Sequence, residues 1–197
     1  MSYDLGKAKV LVVEDMKPMQ TLLKSILSLY GFKDVGTSSG ETEAFRIFCR
    51  MNPDLVVVDW VLEDGDGLSL VRRIRKDPAS PNAFVPVVLM TGFSSRLRVE
   101  KARDMGVTEF LVKPFTSRDL YARIEHIIEK PRQFVELDEF FGPDRRRRTG
   151  DDYAGPRRRD NDQSGEASPA RSAESPQGKV AVDVLRKLLA EAKKAQK

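Results

Sequence analysis

Over the first 130 residues, short apolar runs alternate with longer stretches whose apolar side chains recur every three or four positions. That is the pattern of strands alternating with amphipathic helices. Residues 9–13 (KVLVV) form a β-branched run that stops at Glu14 and Asp15. Over residues 18–30, Met19, Leu22, Leu23, Ile26, Leu27 and Tyr30 fall at helical spacing, and Gly31 closes the helix. A weaker strand near Val35 precedes a helix that opens at Ser39-Gly40-Glu41 and runs to Met51. Residues 54–59 (DLVVVD) are continuously apolar between two acids, as in strands covered on both faces of a parallel sheet. A Gly- and Asp-rich loop at 63–67 follows. The pattern then predicts a helix over 68–76, a strand over 85–90, a helix over 95–105, a strand over 108–112 and a helix over 117–129.

Five such βα units predict an α/β fold, a flavodoxin-like doubly wound five-stranded parallel sheet with helices on both faces. Functional groups of such sheets collect at the carboxyl ends of the strands. At those ends stand Glu14 and Asp15, Asp59, Thr91 and Lys113: three acids, a hydroxyl and an amine. Three converging carboxylates repel one another, and a hard divalent cation relieves that repulsion. Magnesium, which favours a few carboxylates together with water and phosphate oxygens, suits Glu14, Asp15 and Asp59. Asp59 is placed to attack a phosphoryl donor, with the metal and Lys113 offsetting charge on the transferring oxygens and Thr91 bonding one of them.

These residues resemble those of the CheY-like response-regulator receiver family over about residues 9–130. The resemblance rests on the pair Glu14-Asp15, on Asp59 in DLVVVDW, on Thr91 in MTG and on Lys113 in KPF. It implies that Asp59 is phosphorylated by a sensor histidine kinase or a phosphotransfer protein. It also implies that the Val61 backbone carbonyl is a further magnesium ligand, that Lys113-Pro114 is a cis peptide, and that Phe110 rotates inward as Thr91 moves to the phosphoryl group. Output would pass to a protein on the face of the fourth helix, fifth strand and fifth helix. Such a protein is a phosphoacceptor and no enzyme beyond its own phosphotransfer and dephosphorylation. Two positions depart from the common pattern: the acid pair is Glu-Asp in place of Asp-Asp, and Glu63 stands where many relatives have proline.

Beyond Pro131 the composition changes. A receiver domain is expected at 1–131, a disordered Arg/Pro/Gly/Ser-rich linker at 132–179 and an amphipathic helix at 180–197. In that helix Val184, Leu185, Leu188, Leu189 and Ala192 share one face. With no second folded domain in view, the expected protein is a stand-alone regulator acting through protein partners, in chemotaxis or at a flagellar motor. Residues 145–159 hold seven arginines and two aspartates, although the net charge of the whole chain is only +4. They belong to an imperfect repeat, FGPDRRRR at 141–148 and YAGPRRR at 153–159, each copy an aromatic, a Gly-Pro turn and an arginine run. Arginine forks grip phosphates and guanine edges and stack on purines. The tail resembles the arginine-rich extension of Cle-type CheY-like proteins, which implies cyclic di-GMP as ligand of Arg145, Arg146, Arg147, Arg148, Tyr153, Arg157, Arg158 and Arg159. Binding to nucleic acid or an anionic surface, a solvated linker, or a protein-docking arm are the alternatives for these residues.

Further observations narrow the classes. No charged start precedes an apolar run and no apolar stretch approaches ~20 residues, so the expectation is a cytoplasmic protein with no membrane span. One cysteine, Cys49, excludes an internal disulfide, and with one histidine, His126, it leaves little for a zinc site. Both are expected to serve packing or the surface. An aspartyl-phosphate phosphatase would share an Asp nucleophile and magnesium, but such enzymes place a second Asp two residues on, where this chain has Val61.

Overall fold

The computed structural model describes residues 5–92, 96–136 and 141–144. Five strands form one parallel sheet: β1 (Lys9–Val13), β2 (Asp34–Ser38), β3 (Leu55–Asp59), β4 (Val87–Thr91) and β5 (Glu109–Val112), in the order β2-β1-β3-β4-β5. The helices between them are α1 (Lys17–Leu29), α2 (Glu41–Met51), α3 (Gly67–Lys76) and α4 (Arg96–Asp104), with α5 (Ser117–Glu129) after β5. The expected doubly wound fold is therefore present. Strand β4 starts later than the sequence pattern predicts, at Val87; Pro86 before it has no N–H to give a ladder.

Period-two alternation along the strands builds two cores, one on each sheet face. Val10 and Val12 point to the layer of α1 and α5, with Leu23, Leu27, Leu120 and Ile124. Leu11 and Val13 point to the layer that holds Phe48, Leu70 and Ile74 of α2 and α3. Helix ends are closed locally. The Asp66 carboxylate accepts from Leu68 N at the start of α3, and Thr116 with Asp119 forms a reciprocal capping box on α5. The Lys113-Pro114 peptide is cis.

The chain folds past the boundary set at Pro131. Strands β6 (Phe134–Glu136) and β7 (Phe141–Pro143) pair antiparallel. Their aromatic rings close a triangle with Phe84: centroids lie 5.3 Å apart for Phe84–Phe134, 5.1 Å for Phe84–Phe141 and 5.8 Å for Phe134–Phe141. Beneath them Arg75, buried, donates from Nε and Nη2 to Gly106 O and from Nη1 to Ala83 O and Val85 O. Its guanidinium lies 5.1 Å from the Phe134 ring, and burial pushes its pKa down to about 9. The expected disordered linker from residue 132 is thus corrected for 132–136 and 141–144, where apolar rings find a partner surface that composition alone does not reveal. This ribbon lies at the amino ends of β4 and β5, the pole of the sheet opposite Asp59. The tail residues Arg145, Arg146, Arg147, Arg148, Tyr153, Arg157, Arg158 and Arg159 and the helix expected at 180–197 lie outside the described residues.

Candidate functional site

Parallel strands end together, so the residues that close β1, β3, β4 and β5 meet at one edge. Glu14 is fully buried, Asp59 is 9% exposed and Asp15 is half-buried. Glu14, Asp15 and Asp59 each offer a carboxylate oxygen, all within 4.8 Å of one another. Lys113, just past β5, spans two of them, with Nζ at 2.7 Å from Asp59 Oδ2 and 3.1 Å from Glu14 Oε2. The other Asp59 oxygen, Oδ1, accepts from Trp60 N at 2.8 Å.

The charges act on one another strongly in this setting. Burial pushes the Glu14 carboxyl up, as does the Asp59 carboxylate, against the Lys113 bond that favours its ionised form. Burial alone would lower the Lys113 ammonium, yet its bonds and attraction to Asp59 and Glu14 outweigh burial and hold it above the ordinary lysine range. With one ammonium among three carboxylates, the ionised pocket carries an excess negative charge on hard oxygen donors. The donor set fits a small divalent cation such as magnesium.

Thr91 ends β4 fully buried, and its carbonyl accepts from Lys113 N at 2.8 Å, which ties the hydroxyl-bearing residue to the lysine loop. Phe110, partly buried, packs on the core behind β4 and β5. Val61 is 57% exposed, two residues beyond Asp59, in a short antiparallel ladder in which Val61 pairs with Asp66 and Leu62 with Gly65. Gly67 returns the chain under Asp59: a Cβ there would sit 2.0 Å from the Asp59 carbonyl oxygen, so only glycine fits.

One contributor to the site escapes sequence reasoning. Gln20 of α1 is buried, and its Nε2 donates to the carbonyls of Glu14 and Ser38 and to Ser39 Oγ, which locks the end of β1 to the end of β2. A glutamine beside apolar helix positions carries no signal of that task. At the opposite pole of the sheet His126, expected to serve packing or the surface, places Nδ1 3.0 Å from Glu109 Oε1, and Arg132 also reaches that oxygen at 3.4 Å. Cys49 is half-buried, with Sγ 3.5 Å from Ala79 O.

Residues 10–125 match the family model described as response regulator receiver domain. The chemotaxis protein CheY of Pseudomonas aeruginosa is 31% identical over 122 residues, which cover 62% of this chain and 97% of that protein. A probable transcriptional regulator, ycf27, of Porphyridium aerugineum is 31% identical over 126 residues, 64% of this chain and 50% of its own; this chain therefore spans about half of that relative. Among solved structures, a response regulator receiver domain protein from Clostridium thermocellum superposes with a TM-score of 0.56 at 30% identity, covering 62% of this chain and 95% of that one.

Proposed function

The chain belongs to the response regulator receiver family, and from that premise we propose that it is a two-component switch phosphorylated on Asp59 by a histidine kinase or phosphotransfer protein. The convergence of Glu14, Asp15, Asp59 and Lys113 at one sheet edge is the observation that carries this reading. Receiver domains bind magnesium at such an acidic pocket, and Glu14, Asp15 and Asp59, with the Val61 carbonyl as a further ligand, are the residues that would hold it. When bound, the cation supplies positive charge to oxygens of the transferring phosphoryl group.

Asp59 supplies the nucleophile. Its oxygen forms a bond to phosphorus as the bond from phosphorus to the donor, a phosphohistidine nitrogen or the acyl oxygen of a small phosphodonor, breaks. Lys113 already contacts Asp59 and is positioned to follow the charge from carboxylate to phosphoryl oxygens. Thr91 supplies a hydroxyl to one of those oxygens, and Phe110 rotates inward as Thr91 moves. The added charge of about −1.5 to −2 then biases the face formed by α4, β5 and α5, where an output protein docks. Incubation with acetyl phosphate and magnesium should add one phosphoryl group by intact mass, and Asp59→Asn should abolish it. Labelling that persists in that variant refutes the acceptor assignment.

For the tail, cyclic di-GMP is the proposed ligand of Arg145 to Arg148, Tyr153 and Arg157 to Arg159, supported by the paired aromatic, Gly-Pro and arginine units. The first unit's aromatic, Phe141, packs on Phe84, which leaves Tyr153 as the stacking ring. Calorimetric titration should show saturable binding that is lost when Arg145, Arg146 and Arg147 become alanine. Equal, strongly salt-dependent binding of duplex DNA would assign the tail to polyanions instead.

A further inference from the structure

The ladder after Asp59 is held at its tip by another element. Helix α2 begins at Gly40, which has no side chain to cap it. The cap comes from across the site: Asp64, at the turn between Val61–Leu62 and Gly65–Asp66, accepts from the backbone N–H of Glu41 at 3.0 Å. An acceptor carboxylate at a helix start satisfies an otherwise unpaired amide and meets the positive end of the helix dipole.

The backbones are shaped for this contact. A Cβ on Gly40 would sit 2.1 Å from Asp64 Oδ2, and one on Gly65 would sit 2.9 Å from Glu41 Oε2, so glycine stands at both points of close approach. Glu41 extends the link to α3, where Ser69 Oγ donates to its Oε1 at 3.1 Å and Arg73 lies 4.0 Å away. The ladder is therefore anchored at three places: Leu62 buried in the core, Gly67 tucked beneath the Asp59 carbonyl, and Asp64 on α2.

We propose that Asp64 is a positioning residue for the phosphoacceptor pocket: by capping α2 from the tip of the ladder it fixes the backbone at Val61 beside Asp59 and so favours binding of the divalent cation. The claim rests on the magnesium-dependent reading of Asp59 given above. It assigns to an exposed loop acid a task separate from ligation, since the bond Asp64 makes is to the Glu41 amide and its effect passes through Val61.

The test is a magnesium titration of the full chain followed by emission of Trp60, the sole tryptophan, which adjoins Asp59. Asp64→Ala should weaken magnesium binding by about fivefold, the lower end of ordinary coupling between linked sites. Asp64→Asn, which drops the charge but keeps an acceptor oxygen, should stay near the wild type. Gly40→Ala keeps every charge and drives the Asp64 carboxylate off its amide, so it should weaken binding like Asp64→Ala; the extended backbone of Gly40, at φ −140° and ψ 164°, accepts alanine. Urea midpoints measured alongside separate positioning from stability, because a purely structural role lowers the midpoint and leaves the magnesium affinity unchanged. Unchanged affinity in Asp64→Ala overturns the proposal, and so does equal weakening in Asp64→Ala and Asp64→Asn, which would make charge the cause. A wild-type chain with no saturable response overturns the phosphoacceptor reading and this inference with it.

Discussion

Removing an aromatic ring from the ribbon should destabilise a domain whose strand-helix pattern in the sequence ends before it. In Phe141→Ala the lost ring is half-buried and pairs with Phe84 at 5.1 Å and Phe134 at 5.8 Å. Truncation of a fully buried Phe costs about 3–5 kcal/mol; half that, for a half-exposed ring, is about 2 kcal/mol, of which each aromatic pair accounts for about 0.5–1 kcal/mol. Phe134→Ala should cost a similar amount, because it also uncovers the Arg75 guanidinium. The two rings touch, so the double variant should fall short of the sum by about 1 kcal/mol. Urea denaturation followed by Trp60 emission reads all three, and a thermal melt should shift by about 3–6 °C per kcal/mol for a domain of this size. Losses below about 0.5 kcal/mol in both single variants, with no coupling between them, would show that residues 134–143 merely rest on the receiver and would restore the domain boundary at Pro131.

Replacing Gln20 by alanine should cost about 1–3 kcal/mol in the same urea experiment, since the buried carbonyl of Glu14 loses its donor; a change under about 0.5 kcal/mol would mean that water takes over the bond. The α5 capping box has a pH signature. The bonds from the Thr116 amide and hydroxyl hold the Asp119 carboxyl below its ordinary 3.8, so its stabilisation is complete above that value and lost as the pH falls through the lowered one. An NMR titration of the Asp119 carboxyl carbon checks this, and a midpoint at or above 3.8 would contradict it.

The sheet and its acidic edge are legible because both are written locally. KVLVV and DLVVVD are apolar wherever they are placed, since strands buried on both faces need such runs, and parallel strands necessarily bring their carboxyl-end residues to one edge. Strand β2 is at the limit of this reading: DVGTS is hardly apolar, and it becomes a strand because β1 offers it a ladder from Lys9 to Val13. Other assignments depend on partners far away in the chain. Gln20 looks like any polar helix residue until α1 packs its amide against the ends of β1 and β2. Asp64 is one of several acids in a glycine-rich loop, and only the approach of Gly40, 24 positions earlier, makes it a helix cap.

The same distinction decides where the folded unit ends. Phe134 and Phe141 stand in a short run, RQFVELDEFF at 132–141, that follows the last helix without continuing the strand-helix alternation, so sequence reading places them outside the domain; Phe84 and Arg75, fifty or more residues earlier, give those rings a surface to cover. Sequence alone determined the fold class and the residues Glu14, Asp15, Asp59, Thr91 and Lys113, because burial patterns and strand-end chemistry are local properties. Tertiary structure alone decided the partners of Gln20, Asp64, Arg75 and the ribbon, because a hydrogen bond or a ring contact exists only once distant segments are brought within a few ångströms.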